Sequence, residues 1–330
     1  VNASRILSAF GQLNLLVVGD ICLDRWCQYD PATAEASRET GIPRIGVLSF
    51  SSTAGACGTI ANNLSDLGVG RVSLLGAIGE DSQGDELLGA LARRNIGAGL
   101  VLRSRLIQTF TYTKHINIET GIEDLPRVDF INNSSLPASL DQQMVDCFET
   151  HAASFDAVLV CDQAETARGG VVTDRLRAAI NRFASAHPTK PVWVDSRKRA
   201  ELFTHCYLKP NEDEAAEAAL RLTGQTDYRC LLPALSLRAL IVTAGPHGAW
   251  IHDNGGERWV RTVSVAAPVD ICGAGDSFSA GAASALATGA GLDDAVHLGN
   301  LVASITIMKP GTGTASPEEV LAAASRVGRL

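Results

Sequence analysis

With 330 residues, 46% of them hydrophobic, the chain is long enough for one large α/β domain or two smaller ones around a sizeable core. Its net charge of −8 argues against a general binder of nucleic acid or of anionic membranes. The eight cysteines include no C-x-x-C pair, which predicts buried free thiols in a reducing cytoplasm rather than a disulfide framework or a zinc site.

In chain order, Leu13–Gly19 is an apolar run ending at glycine, the pattern of a buried parallel strand. Ligands gather beyond the C-terminal ends of such strands, so Asp20 and Asp24 are candidate substrate contacts, with Asp24 favoured for a sugar hydroxyl. Residues 42–50, and 109–118 with 127–131, are two stretches rich in β-branched and aromatic residues, and neither contains a crossover helix. They are expected to form a small antiparallel subdomain, inserted in two segments (about 21–50 and 106–132), that covers a cleft. Between these segments, a glycine turn at 54–58 enters a helix that stops at Gly68. Val72–Gly79 is the next strand, and Asp81 caps a helix containing Leu87 and Leu91.

From residue 155 onward strands and helices alternate. The runs at 157–161, 191–194, 240–243 and 249–252 read as strands, with helices near 170–186, 212–223, 276–288 and 292–308. The pattern predicts an α/β sandwich around a largely parallel sheet, as one domain with a lid. The sequence as given opens on no basic, apolar leader, so no signal peptide is expected. The charge-free candidate for a membrane span, 277–292, is rich in Ala, Gly and Ser and falls short of the roughly 20 apolar residues needed to cross a bilayer.

The most informative stretch is 269–278, where Gly273-Ala274-Gly275-Asp276 leads into small, helix-compatible residues. Glycines permit close backbone approach, and the first N–H groups of a helix lack partners, so the turn is suited to phosphate. Asp276 beside it is placed to take a proton from a hydroxyl. Neither a P-loop nor G-x-G-x-x-G after a strand is present. Instead, Thr243, Gly245 and Gly248 form a strand-end turn suited to nucleotide phosphate or ribose, although the same residues suit an ordinary hairpin. Asn211 and Glu214 fit a capping box, or a pair facing a cleft and orienting the waters of Mg²⁺.

Together these motifs resemble those of the ribokinase/PfkB family of carbohydrate kinases over essentially the whole chain. The D-T-x-G-A-G-D motif appears as Asp270-Ile271-Cys272-Gly273-Ala274-Gly275-Asp276, N-x-x-E as Asn211 and Glu214, and T-x-G-x-x-G as Thr243, Gly245 and Gly248; Asn300 matches an asparagine near the adenine pocket. The heptose-7-phosphate kinase branch is the most similar, through 17–26, Arg127–Asp129, 194–197 and 309–314. The resemblance implies a ribokinase-like three-layer α/β/α sandwich with a small β-sheet lid, a cytoplasmic setting, and a homodimer joined through the lid. It implies ATP and Mg²⁺, and leaves open a monovalent cation such as K⁺.

By the same resemblance, Asp276 is the general base and the amides of Gly273, Ala274 and Gly275 form the anion hole. Thr243, Gly245, Gly248, Asn300 and Asn211 then serve the nucleotide, Glu214 with Asn211 the metal, and Asp24, Gly55, Thr59 and Arg127 the sugar. Two features depart from the pattern. The sugar-pocket G-G-A-A-N reads Gly55-Ala56-Cys57-Gly58-Thr59, and a threonine hydroxyl cannot reproduce an amide's paired hydrogen bonds. The lid segment 115–126 carries Glu119, Glu123 and Asp124, unfavourable for a phosphorylated sugar unless Arg25, Arg38 or Arg127 compensates. A kinase for a nucleoside or other small alcohol, and a non-catalytic nucleotide or sugar sensor, are the alternatives. Sugar-dependent ADP release separates an enzyme from a sensor.

Overall fold

The computed structural model describes residues 2–164, 168–263, 265 and 267–327. Asn14–Gly19 is an inner strand, paired in parallel with Ala157–Asp162 on one side and Arg71–Gly79 on the other. Beyond Ala157–Asp162 the sheet continues through Val192–Ser196, Tyr207–Leu208 and Ala239–Thr243, all parallel. It ends there on two antiparallel strands, Gly248–Asp253 and Gly256–Arg261, while Gly97–Ser104 forms the opposite, parallel edge. This nine-stranded sheet is the middle layer.

Alternation along the first strand explains why both faces are covered. Leu15 and Val17 enter one apolar cluster, with side chains from the helices Cys57–Asp66, Ala274–Ala287 and Leu292–Thr306. Leu16 and Val18 enter the other, with Ala138–His151, Asp174–Ala186 and Glu212–Thr223. All four side chains are fully buried. Each contributes about 1.5–3 kcal/mol relative to an exposed position, so a single run of alternating residues fastens both helical layers to the sheet.

The chain leaves this sheet for the lid at Gly19-Asp20. Gly19 has φ +138°, and a β-carbon there would lie 2.1 Å from the Cys161 carbonyl oxygen, so only glycine fits the bend. Asp20 fixes the exit through its backbone, donating to the Cys161 carbonyl and accepting from the Cys57 N–H. The lid is a four-stranded sheet in the order Val47–Ala56, Ile21–Tyr29, Phe110–Asn117, Val128–Phe130.

Two details of the lid differ from expectation. Its central pair, Ile21–Tyr29 with Phe110–Asn117, is parallel; only the outer pairings are antiparallel. The two central strands follow the C-terminal ends of Asn14–Gly19 and Gly97–Ser104, strands of the main sheet that run in the same sense, and so run parallel to one another. The strand beginning at Val47 also runs on to Ala56, directly into the helix at Cys57. The lid is thus joined to the core at Gly19-Asp20 and again at Ala56-Cys57.

Candidate active site

The turn at 270–275 is held in place by Asp270. Its Oδ1 accepts from the Cys272 N–H at 2.9 Å, and its Oδ2 accepts from the Gly311 N–H at 3.2 Å. Gly273 lies in the left-handed region, φ +76°, and a β-carbon there would meet the Thr59 methyl at 3.0 Å. The Ala274 N–H is drawn back to the Ile271 carbonyl at 3.2 Å. The N–H groups of Gly273, Gly275 and Asp276 have no acceptor among the described residues. The expected set of three amides therefore shifts: Ala274 is engaged in the turn, and the N–H of Asp276 joins the open donors. They sit at the start of a 14-residue helix, whose dipole adds positive potential at that end.

The Asp276 side chain lines a cleft between the turn and the lid. Burial pushes its carboxyl up to about 7; Asp195 and Asp24 act in the same sense, opposed by Lys209 and Arg197. A carboxylate poised near neutrality is suited to accept a hydroxyl proton. Asp195 and Lys209 form a buried ion pair at 2.6 Å, each about 5% exposed, beneath Gly275.

The lid wall of the cleft carries Asp24, whose carboxyl burial raises to about 6. A β-carbon at Gly55 would lie 2.3 Å from Asp24 Oδ2, so the glycine is what lets that side chain occupy its place. Thr59 also lines the cleft, as do Arg25, Lys114, Arg127 and Arg197. Arg25 pairs with Glu86 of the core at 2.5 Å, leaving its buried Nε without a partner. Arg127 stacks over Tyr112 and pairs with Asp129 at 2.7 Å.

Asp20, in contrast, is committed to the fold. Its carboxylate accepts from the N–H groups of Gln163, Ala164 and Val171, so although it borders the cleft it is a clamp. The lid acids serve the lid itself. Asp124 accepts from Tyr29 and Asn117, and Glu123 lies 3.7 Å from Lys114. Arg38 is exposed and does not line the cleft. Arg25 and Arg127 do line it, joined by Lys114 and Arg197.

On the other side of the turn is an apolar cavity of about 480 Å³, bordered by Thr243, Gly245, Gly248, Phe278 and Asn300. Gly248 has φ +124° and no room for a β-carbon, which would meet the Val260 carbonyl oxygen at 2.2 Å. Asn300 is buried and its amide donates to the Arg261 carbonyl. This size and mixture of apolar walls with a few polar groups suits a nucleoside. Thr243 joins this cavity to the N-x-x-E segment, because its N–H donates to the Pro210 carbonyl.

Asn211 and Glu214 do form a reciprocal capping box, at 2.8 and 2.9 Å. That bond occupies only one Glu214 oxygen, and the carboxylate borders a polar depression with Arg197 and Asp213. Among the described residues no cluster of three or more His, Cys, Asp or Glu is arranged to hold a metal by itself. One available carboxylate beside a phosphate site nevertheless suits Mg²⁺, which keeps several waters and binds mainly through substrate phosphates.

Sequence reasoning missed the Asp195–Lys209 pair and Lys114, because nothing in their local spacing marks them; they meet only through parallel strand register. Comparison with known proteins bears on the fold and the family. A bifunctional protein HldE from Trichlorobacter lovleyi is 30% identical over 95% of this chain and 63% of its own length. One from Caulobacter sp. is 31% identical over 96% of the chain and 64% of its own length. The chain thus spans less than two thirds of these relatives. In three dimensions it is similar to ribokinase from Thermotoga maritima, with TM-score 0.70, 20% identity, and 95% and 99% of the two chains covered. It is equally similar to phosphofructokinase-2 from Escherichia coli, solved with potassium: TM-score 0.70, 17% identity, 96% and 100% covered. The pattern described as "pfkB family carbohydrate kinase" matches residues 14–319, and the chain belongs to that family.

Proposed function

We propose that this chain transfers the γ-phosphoryl group of ATP to a hydroxyl of a sugar that already carries a phosphate, of the heptose-7-phosphate class. The observation that carries this reading is the cleft itself: Asp276 and Asp24 lie among Lys114, Arg127 and Arg197, while the Arg25 guanidinium at its border is turned to Glu86 and Phe50. An uncharged sugar or nucleoside gains little from three cations at one cleft, whereas a phosphate dianion is favoured by them even with Lys114 and Arg127 shared with Glu123 and Asp129. Asp24 is left to fix hydroxyl groups, with Thr59 beside it in the cleft and Gly55 making room for its carboxylate.

In the proposed reaction Asp276 takes the proton of the attacking hydroxyl. The hydroxyl oxygen forms a bond to the γ-phosphorus as the bond from phosphorus to the bridging oxygen breaks, releasing ADP. The N–H groups of Gly273, Gly275 and Asp276 face the charge that builds on the transferred group. Thr243, Gly245, Gly248 and Asn300 hold the nucleoside end, with Asn211 near its phosphates. Glu214, beside Asn211, would hold waters of Mg²⁺, which neutralises phosphate charge when bound. The lid excludes water, which would otherwise compete as acceptor.

One lid face leaves Val47, Leu48, Phe50, Val128 and Phe130 exposed. That unpartnered apolar surface supports a homodimer through the lid. A Phe50→Glu variant that sediments as monomer, against a dimeric parent, would bear it out. Thiols such as Cys22, Cys57, Cys161 and Cys206, all free and buried, support a reducing, cytoplasmic setting. No helix among the described residues is long and apolar enough to cross a membrane.

A coupled ADP-release screen with matched pairs of free and phosphorylated sugars tests the assignment. Turnover is expected with the phosphorylated member of a pair, at a KM at least tenfold lower than the free sugar. Equal use of both members would overturn it.

A further inference from the structure

Behind one wall of the cleft lies a separate depression of about 420 Å³, bordered by Arg168, Arg175, Arg177 and Arg199. It shares no lining residue with the cleft. Arg199 is answered by Asp162 at 2.9 Å, and Arg175 lies 3.7 Å from Asp141. Arg168 is exposed and makes no ion pair among the described residues. The guanidinium most in need of a counter-charge is that of Arg177. Its side chain is 5% exposed, yet the carboxylate paired with it at 2.6 Å, Asp174, is 97% exposed. A partner so open to water is screened, while the guanidinium has given up its own hydration. Its Nη2 donates to the Val172 carbonyl at 2.9 Å, and its buried Nε has no hydrogen-bond partner. Phe203, stacked against it, supplies a cation–π contact and no acceptor.

We propose that this depression is a second anion site, which takes the phosphate group of a small hydroxylated metabolite of the phosphorylated-polyol class. Guanidinium groups match phosphate oxygens in geometry as well as charge, and Arg168, Arg175 and Arg177 are the ones that hold it. Asp141 and Asp174, at the same border, accept from the hydroxyl groups. No aromatic side chain lines the depression, so it offers a nucleotide base nothing to stack on. The site stands independently of whatever reaction the cleft carries out.

The depression and the cleft have a wall in common. Arg199 Nη1 donates to the carbonyl of Ala164 at 3.1 Å, and Ala164 lines the cleft. Gly170, on the depression side, packs so tightly that a β-carbon on it would lie 2.6 Å from that of Ala164. Asp20 ties the two segments together, accepting from the Ala164 N–H at 2.9 Å and from the Val171 N–H at 2.8 Å. An anion that draws on these arginines is therefore felt at Ala164 through a continuous set of contacts.

Glycerol 3-phosphate is the probe, titrated at constant ionic strength into the ¹⁵N-labelled chain, with inorganic phosphate and AMP as comparisons. The amide signals of Gly170 and Thr173 should shift saturably, with half-saturation at about 1 mM or below. The Ala164 amide should follow with the same midpoint. Arg168→Ala/Arg175→Ala removes two exposed side chains, so the fold is kept, and should raise the midpoint at all three amides by about tenfold or more. No saturable shift at Gly170 and Thr173, or an unchanged midpoint in the double variant, overturns the site. Inorganic phosphate binding as tightly as glycerol 3-phosphate overturns the hydroxyl contacts, and tighter binding of AMP overturns the ligand class. An Ala164 shift that persists unchanged in the double variant arises from the cleft and overturns the coupling.

Discussion

Gly55→Ala isolates the geometry of the lid wall with one methyl group. The added carbon would lie 2.3 Å from Asp24 Oδ2, 2.6 Å from its Cγ and 2.6 Å from Cys22 Sγ. None of these distances is tolerable, and Cys22 is buried, so the Asp24 carboxylate must swing out of position. The overpacking itself should cost about 1–3 kcal/mol of stability, a fall of several degrees at most in a chain of this size. The larger effect is on binding: a substrate hydroxyl left without its buried acceptor loses roughly 1–3 kcal/mol, or about 5- to 150-fold in sugar KM. The KM for ATP, bound on the far side of the turn, should be unchanged. Steady-state kinetics on both substrates, with thermal denaturation as control, make the measurement. Repeating the substitution in an Asp24→Ala background closes a double-mutant cycle, in which Gly55→Ala should cost little further affinity. A wild-type sugar KM in Gly55→Ala would refute the assignment of Asp24. So would a full additional loss in the Asp24→Ala background.

The carboxyl of Asp276, pushed up to about 7 chiefly by burial, should set the acid limb of kcat/KM, so activity falls as pH drops through about 7; a limb below pH 5 would contradict this. The folded state keeps that proton up to about pH 7, whereas an unfolded aspartate releases it near 3.8, so stability from this group is present below 3.8 and lost as pH rises toward 7. Asp276→Asn should therefore melt a few degrees above wild type at pH 8, by calorimetry. Ala56 has φ +53° and ψ −116°, a backbone region hostile to a β-carbon, at the position where the family pattern has glycine. Ala56→Gly should relieve about 1 kcal/mol of strain and raise the melting temperature without loss of turnover. Glu214→Gln keeps an acceptor for the Asn211 N–H, so stability should hold while the Mg²⁺ concentration for half-maximal rate rises about tenfold; an unchanged Mg²⁺ requirement would reduce Glu214 to a helix cap.

The α/β core was legible because buried parallel strands announce themselves as short apolar runs. Leu15 to Val18 needed no context to be placed. The motifs at 211–214, 243–248 and 270–276 were legible too, since each is a local turn or helix start whose geometry depends on residues within a few positions. What escaped were features made by register and topology. The parallel pairing of the two central lid strands follows from how both leave the core, which composition cannot show. Lys209 and Asp195 lie 14 positions apart and meet only because successive parallel strands end side by side. Asp20 stood beside the favoured Asp24 as a second candidate, being acidic and beyond the same strand; three backbone N–H groups from residues 163, 164 and 171 make it a clamp instead. Of the lid acids that raised an expectation of repulsion, Asp124 is engaged by Tyr29 and Asn117 and Glu123 lies beside Lys114, contacts that no local spacing announces.

A single oxygen-for-nitrogen exchange at residue 276 removes the proposed base. In Asp276→Asn the amide keeps the shape of the side chain and cannot accept the proton. Sugar-dependent ADP release should fall by roughly 10²–10⁴-fold while ATP affinity, measured by calorimetry, stays within about threefold. Turnover at the wild-type rate in the folded variant would contradict the claim that this carboxylate activates the acceptor.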